Sequence, residues 1–139
     1  MMFTMNKNCE RRDEVLWGRS GDYALGGVER FDFLDWKTAQ QLIDEGFANP
    51  EDAQNCAPTF KEFVDWAKRV EEKYGANVVL YGYAVSPSRS DYRVTIEGCY
   101  IEEMVDVEDR DELLLECVMR FRFADEFHID RYRFSCWYD

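Results

Sequence analysis

"DRDELLLECVMRFRF", residues 109–123, decides how many helices this chain has. Read as a helix, Leu113, Leu114, Cys117, Val118, Phe121 and Ala124 share one face. Read as a strand, Leu113, Leu115, Cys117, Met119, Phe121 and Phe123 alternate with a less apolar row. About a dozen residues is long for a strand and ordinary for a helix. The acids from Asp106 to Glu112 also suit a helix N-terminus, where free N–H groups and the helix dipole favour negative charge. Helix is therefore the preferred reading, with Asp109 as N-cap and Glu112 as its capping-box acid.

Immediately upstream, the polar segment "SPSRSD" (residues 86–91) separates two runs of strand character, 77–85 and 92–98. So short a link cannot make the crossover that parallel strands need, so the pair is an antiparallel hairpin. Pro87 favours a turn, and Ser86, Ser88, Ser90 and Asp91 can bond nearby backbone. The functional alternative is an anion or partner contact made by Arg89, Tyr92 and Arg93. Downstream, "RYRFSCWYD" alternates Tyr132, Phe134, Cys136 and Tyr138 with Arg131, Arg133, Ser135 and Trp137, which predicts a last strand paired with residues 125–129.

Two more helices precede the hairpin. "FKEFVDWAKRVEEKY" (60–74) has a Thr59/Glu62 capping box, an apolar face at three and four spacing, and Gly75 to end it. Wheel geometry sets Glu71 inside that apolar arc, where a carboxylate needs a partner such as Arg93 or Arg122. Residues 36–45 form a helix capped by Asp35, and Gly46 closes it with Phe47 reaching back to Leu42. Residues 9–33 predict no long element: "DEVLW" makes a helical turn, "GDYAL" a short strand, and four glycines break the rest. The expectation is a flexible start over 1–8 and a single α+β domain over 9–139, an antiparallel sheet of three to five strands covered on one face by about three helices.

The 139 residues suffice for one core, which ten Phe, eight Tyr and four Trp make largely aromatic. Twenty-nine acids against seventeen Lys and Arg leave a charge of -12. That charge repels nucleic acid and anionic membranes and attracts basic proteins. Residues 102–139 carry twelve acids and five arginines, making the C-terminal third the acidic pole. Five cysteines, odd in number and never in a C-x-x-C pair, indicate neither a disulfide framework nor a zinc knuckle, and a reduced cytoplasmic setting is expected. No apolar run approaches the roughly 20 residues of a membrane span.

No common phosphate, dinucleotide, zinc-protease or hydrolase motif occurs. The acidic run lacks the spacing and the glycine of a calcium loop. No catalytic residue, metal ligand or cofactor is assigned. An enzyme would have to use the sole histidine, His128, with Cys136, Cys117 or Glu71 in a concave pocket.

"SPSRSDYRVTIEG" (86–98), "ADEF" (124–127) and the terminal "CWYD" (136–139) resemble an uncharacterised group of small acidic proteins associated with bacterial mobile elements. The resemblance covers the C-terminal half. It implies a bacterial setting, and because the group has no assigned activity it implies no site residue.

The function expected is binding: a non-enzymatic acidic module, an accessory or inhibitor protein that contacts a basic protein. The contact residues expected are Asp106, Glu108, Asp109 and Asp111 with the exposed aromatics Trp137 and Tyr138, and Arg89 and Tyr92 from the hairpin loop. Sharper alternatives are a DNA-mimicking inhibitor or an immunity protein that caps a basic toxin.

Overall fold

The structure, a computed structural model, describes residues 2–139 apart from Leu25 and Val105. Met1 of the expected flexible start and Leu25 of the expected "GDYAL" strand lie outside the described residues. Four helices, α1 (Cys9–Trp17), α2 (Trp36–Asp44), α3 (Phe60–Tyr74) and α4 (Arg110–Phe121), accompany five strands. The strands are β1 (Val28–Leu34), β2 (Val79–Val85), β3 (Val94–Ile101), β4 (Glu126–Ile129) and β5 (Phe134–Trp137). They form one antiparallel sheet in the order β1-β2-β3-β5-β4, so the α+β class is as expected.

Local chemistry sets the helix ends. Asp35 accepts from the Thr38 N–H at 2.7 Å to start α2. At its end Phe47 N–H donates to Leu42 O at 2.8 Å and Gly46 N–H to Ile43 O at 3.0 Å, with Gly46 at φ 82°. This pair of bonds is the Schellman ending, and the positive φ explains the glycine. α3 has both halves of its capping box, Glu62 N–H to Thr59 Oγ1 and Thr59 N–H to Glu62 Oε1, each 3.1 Å.

α4 settles the opening ambiguity in favour of helix, with Leu113, Cys117 and Phe121 buried. Its core is built ring on ring. Phe121 stacks on Phe63 (centroids 5.9 Å apart) and on Phe134 (5.4 Å), and Trp66 meets its edge at 4.7 Å. One correction concerns the cap: Asp109 occupies the N-cap position at φ 59°, and its side chain caps no N–H. A left-handed residue directs its side chain away from the helix start, so that carboxylate stays in solvent.

Two further expectations are corrected. Residues 9–33 hold a nine-residue helix and a seven-residue strand. α1 has a weak amphipathic pattern because its buried residues include Arg12 and Asp13, and β1 buries only Phe31 and Leu34. "GDYAL" gives no strand over its described residues, because Gly21 and Tyr23 are turned toward Asp13. Before α1, the Asn6 N–H reaches Gly46 O at 2.8 Å, its side-chain amide reaches Glu45 O at 2.8 Å, and Asn8 caps the helix.

The register of the sheet decides which side chains share a face. Leu80, Ala84, Val94, Ile96, Cys99, Ile101, Phe134 and Cys136 join the helices in one core. β3 carries an extra residue at Glu97, since Tyr81 pairs with Gly98 while Gly82 pairs with Ile96. This bulge sets Tyr81, Tyr83, Thr95, Glu97, Tyr100 and Trp137 on the face away from the core. Gly98 lies under the Tyr81 ring, whose hydroxyl donates to Cys136 O on β5.

Candidate functional site

β3 ends at Ile101 and α4 begins at Arg110, and the connection between them carries the acidic pole. Glu102, Glu103, Asp106, Glu108, Asp109 and Asp111 are all exposed. Among the described residues, Asp106, Glu108, Asp109 and Asp111 have no ion-pair partner. Acids further along α4 are used internally. Glu112 pairs with Lys73 at 3.0 Å, and Glu116 pairs with Arg69 and accepts from the Tyr74 hydroxyl. Arg120 meets Glu62 at 2.7 Å. These bonds stitch α4 to α3; burial would raise the Glu116 carboxyl, but its bonds from Tyr74 and Arg69 hold it below its usual range. A cleft of about 330 Å³ beside the pole is lined by Gly75, Ala76, Asn77, Val79, Tyr100, Glu102 and Glu103.

The hairpin loop is occupied by its own bonds. Arg89 grips Asp91 through two bonds, 2.9 and 2.8 Å, and donates to Gly26 O at 2.8 Å. Ser86 N–H donates to Gly27 O at 2.7 Å. The Tyr92 ring covers the Arg12 guanidinium at 4.6 Å, and its hydroxyl donates to Asn6 O at 3.3 Å. These contacts make the segment a turn clasped onto the residues before β1, and both guanidinium forks of Arg89 already have acceptors.

Beneath that turn lies a buried polar knot that sequence reasoning missed. Arg12 is fully buried; its Nε donates to Asp13 Oδ1 at 3.1 Å and its Nη1 to Val85 O at 3.0 Å. Asp13 also accepts from the Tyr23 hydroxyl at 2.8 Å and from Gly21 N–H at 3.0 Å. Burial raises the Cys9 thiol and the Tyr23 and Tyr92 hydroxyls above their ordinary values. All of these groups are neutral at pH 7, and each has a partner. The knot therefore ties α1 to the end of β2. No spacing signal marks it, because Arg12 and Asp13 read as one more charged pair on a polar segment.

Trp137 stands half-buried on the outer face of the sheet, between Gly98 and Glu126. Tyr138 corrects the expectation of an exposed ring: it is 2% exposed and packs edge-on against Phe63. The alternation of the last strand puts odd and even residues on opposite faces, so only one of the two rings can be outside. The same alternation separates His128 from Cys136. His128 pairs with Ser135 on the outer face, bonded to Asp130 at 3.0 Å, while Cys136 lies in the core 3.7 Å from the Cys99 sulfur. Cys117 is also in the core, its thiol pushed up to about 12 by burial. Glu71 is exposed and accepts from the Trp36 indole N–H, because α2 packs beside α3 at that edge of the apolar arc. No pocket among those found in the described residues gathers His128, a cysteine and Glu71.

A second buried carboxylate, besides Asp13, is Glu97, paired with Arg30 of β1 on the outer sheet face. Beside it, Asp52 and Gln54 of the α2–α3 connection lie over Tyr83, Arg93 and Thr95. Gln54 donates to Thr95 Oγ1 at 2.9 Å and to the Tyr83 hydroxyl at 3.3 Å, and Arg93 approaches Asp52 at 3.6 Å. Burial raises the Asp52 carboxyl above its ordinary value against the lowering effects of Thr95 and Arg93.

Among the described residues there is no group of three or more His, Cys, Asp or Glu side chains placed to hold a metal ion, and no helix is long and apolar enough to cross a membrane. No protein family, curated protein or solved structure matches the chain. The resemblance of its C-terminal half accordingly rests on the quoted residues alone.

Proposed function

We propose that the chain is a non-enzymatic acidic binding module whose 102–111 segment receives a basic protein. The supporting observation is that Asp106, Glu108 and Asp109, between β3 and α4, and Asp111, in the first turn of α4, are exposed and have no ion-pair partner among the described residues. A row of carboxylates without ion-pair partners raises the encounter rate with a positive surface and rejects negative ones. Arg89 and Tyr92 are withdrawn from the contact set because their polar groups are already used, and Tyr138 because it is buried. Trp137 remains available on the outer face. The cytoplasm of a bacterium is the setting this reading takes from the unpaired cysteines and the resemblance.

Affinity capture from a bacterial lysate, with the wild-type chain and an Asp106→Lys/Glu108→Lys/Asp109→Lys/Asp111→Lys variant side by side, tests the reading. The wild type should retain a basic protein that salt releases and the variant does not hold. Equal retention by both would refute it.

A further inference from the structure

α4 carries a second, apolar row, Leu115, Met119 and Phe123, that the core does not use. Leu115 is 61% exposed, Met119 62% and Phe123, just past the helix end, 77%. At about 100° per residue, Asp111, Arg122, Leu115, Met119 and Phe123 fall within about 120° of the helix wheel, opposite the buried Leu113, Cys117 and Phe121. Two large apolar side chains in line on the helix and a third just beyond its end are not scattered surface residues; they form a patch of the kind that marks an interaction site.

The charges at the two ends of this face indicate its occupant. Asp111 stands at the N-terminal end and Arg122 at the C-terminal end, and neither has an ion-pair partner among the described residues. Arg122 lies 4.7 Å over the Phe123 ring, and its Nη1 donates to Met119 O at 3.2 Å and to Met119 Sδ at 3.6 Å. A face that is acidic at one end, apolar in the middle and basic at the other is complementary to itself when reversed. We propose that it is the interface between two copies of this chain, with α4 packed antiparallel on α4 of the second copy about a two-fold axis.

With the axis level with Cys117, Leu115 faces Met119 of the second copy and Asp111 faces Arg122 and Phe123 of the second copy. The same contacts repeat across the axis, as an isologous interface requires. The remaining acids of the pole, Asp106, Glu108 and Asp109, precede α4 and stay at the two outer ends of the pair. The dimer takes Asp111 from the contact set proposed above and leaves Asp106, Glu108 and Asp109 to a basic partner, and it does not depend on that reading.

The patch is small beside a standard interface, and the net charge of each copy opposes association. The dimer is accordingly weak, with a dissociation constant on the order of 10 μM at about 0.15 M salt. Sedimentation equilibrium of the full chain should show a monomer–dimer equilibrium in that range. Met119→Lys, which sets two cations near the axis, should abolish the dimer while far-UV circular dichroism and the melting temperature stay unchanged. Asp111→Arg and Arg122→Asp should each weaken it about tenfold, and the two together should restore it. A chain that stays monomeric to hundreds of micromolar, a dimer that survives Met119→Lys, or a double variant no tighter than either single one would overturn the proposal.

Discussion

Arg12 and Asp13, neighbours in the chain, form an ion pair at 3.1 Å with almost no solvent contact at either side chain. Together they hold α1 against the end of β2. Removing one partner of such a pair leaves the other charge buried, at a cost of roughly 3–5 kcal/mol. Arg12→Met should show that loss in urea unfolding, and Asp13→Leu a comparable one. The double variant should recover only part of it, because the Tyr23 hydroxyl and Gly21 N–H lose their acceptor as well. A loss under about 1 kcal/mol for Arg12→Met would show that the knot is not under tension.

Gly98 and Gly75 separate two reasons for having a glycine. A Cβ at Gly98 would run into Cys136 O and the Tyr81 ring, whereas one at Gly75 would meet no atom but sit at φ 68°. Gly98→Ala should therefore cost about 1–3 kcal/mol by overpacking and disturb β5. Gly75→Ala should cost about 1–2 kcal/mol through backbone strain alone. Tyr81→Phe in the Gly98→Ala background should recover little, since the backbone carbonyl remains in the way.

Asp52 gives the chain a pH dependence of known sign. Its carboxyl is raised above 3.8 by burial, so the folded state favours the protonated form. The stability this contributes is present below the unfolded value and lost as pH rises through the folded one. Asp52→Asn, neutral at every pH, should be more stable than wild type at pH 7 and indistinguishable from it below 3.8. Urea midpoints measured from pH 3 to pH 7 decide the point, and a wild type that gains on the variant as pH rises would contradict it.

Tyr138 and Trp137 should respond oppositely to truncation. Tyr138→Ala removes a ring packed on Phe63 and should cost about 3–5 kcal/mol. Trp137→Ala should cost less than half as much by the same urea assay, because one side of that ring faces solvent.

Much of this fold is legible in the residues, for reasons that differ along the chain. Thr59, Glu62, Asp35 and Gly46 act through local hydrogen bonds, so their roles can be read a few residues at a time. The helix at residues 110–121 is decided by length and by its acidic start, and its outer row Leu115, Met119 and Phe123 is the apolar surplus left once the core face is filled. That surplus was the available signal for an interface. α1 could not be read the same way, because it turns an arginine and an aspartate inward, and only the tertiary fold brings Tyr23, Tyr92 and Val85 to meet them. Glu71 lies outside the core for a related reason: a helix wheel does not show that Trp36 lies at its edge.

Titration calorimetry of the chain with the basic protein it retains, across salt from about 0.05 to 0.5 M, bears most directly on the role of the acidic segment. Affinity should fall steadily as salt screens the pole, and Asp106→Lys/Glu108→Lys should lose at least about tenfold at low salt without a change in melting temperature. An affinity that is flat with salt and equal in the variant would mean that the exposed carboxylates before α4 are not what the partner meets.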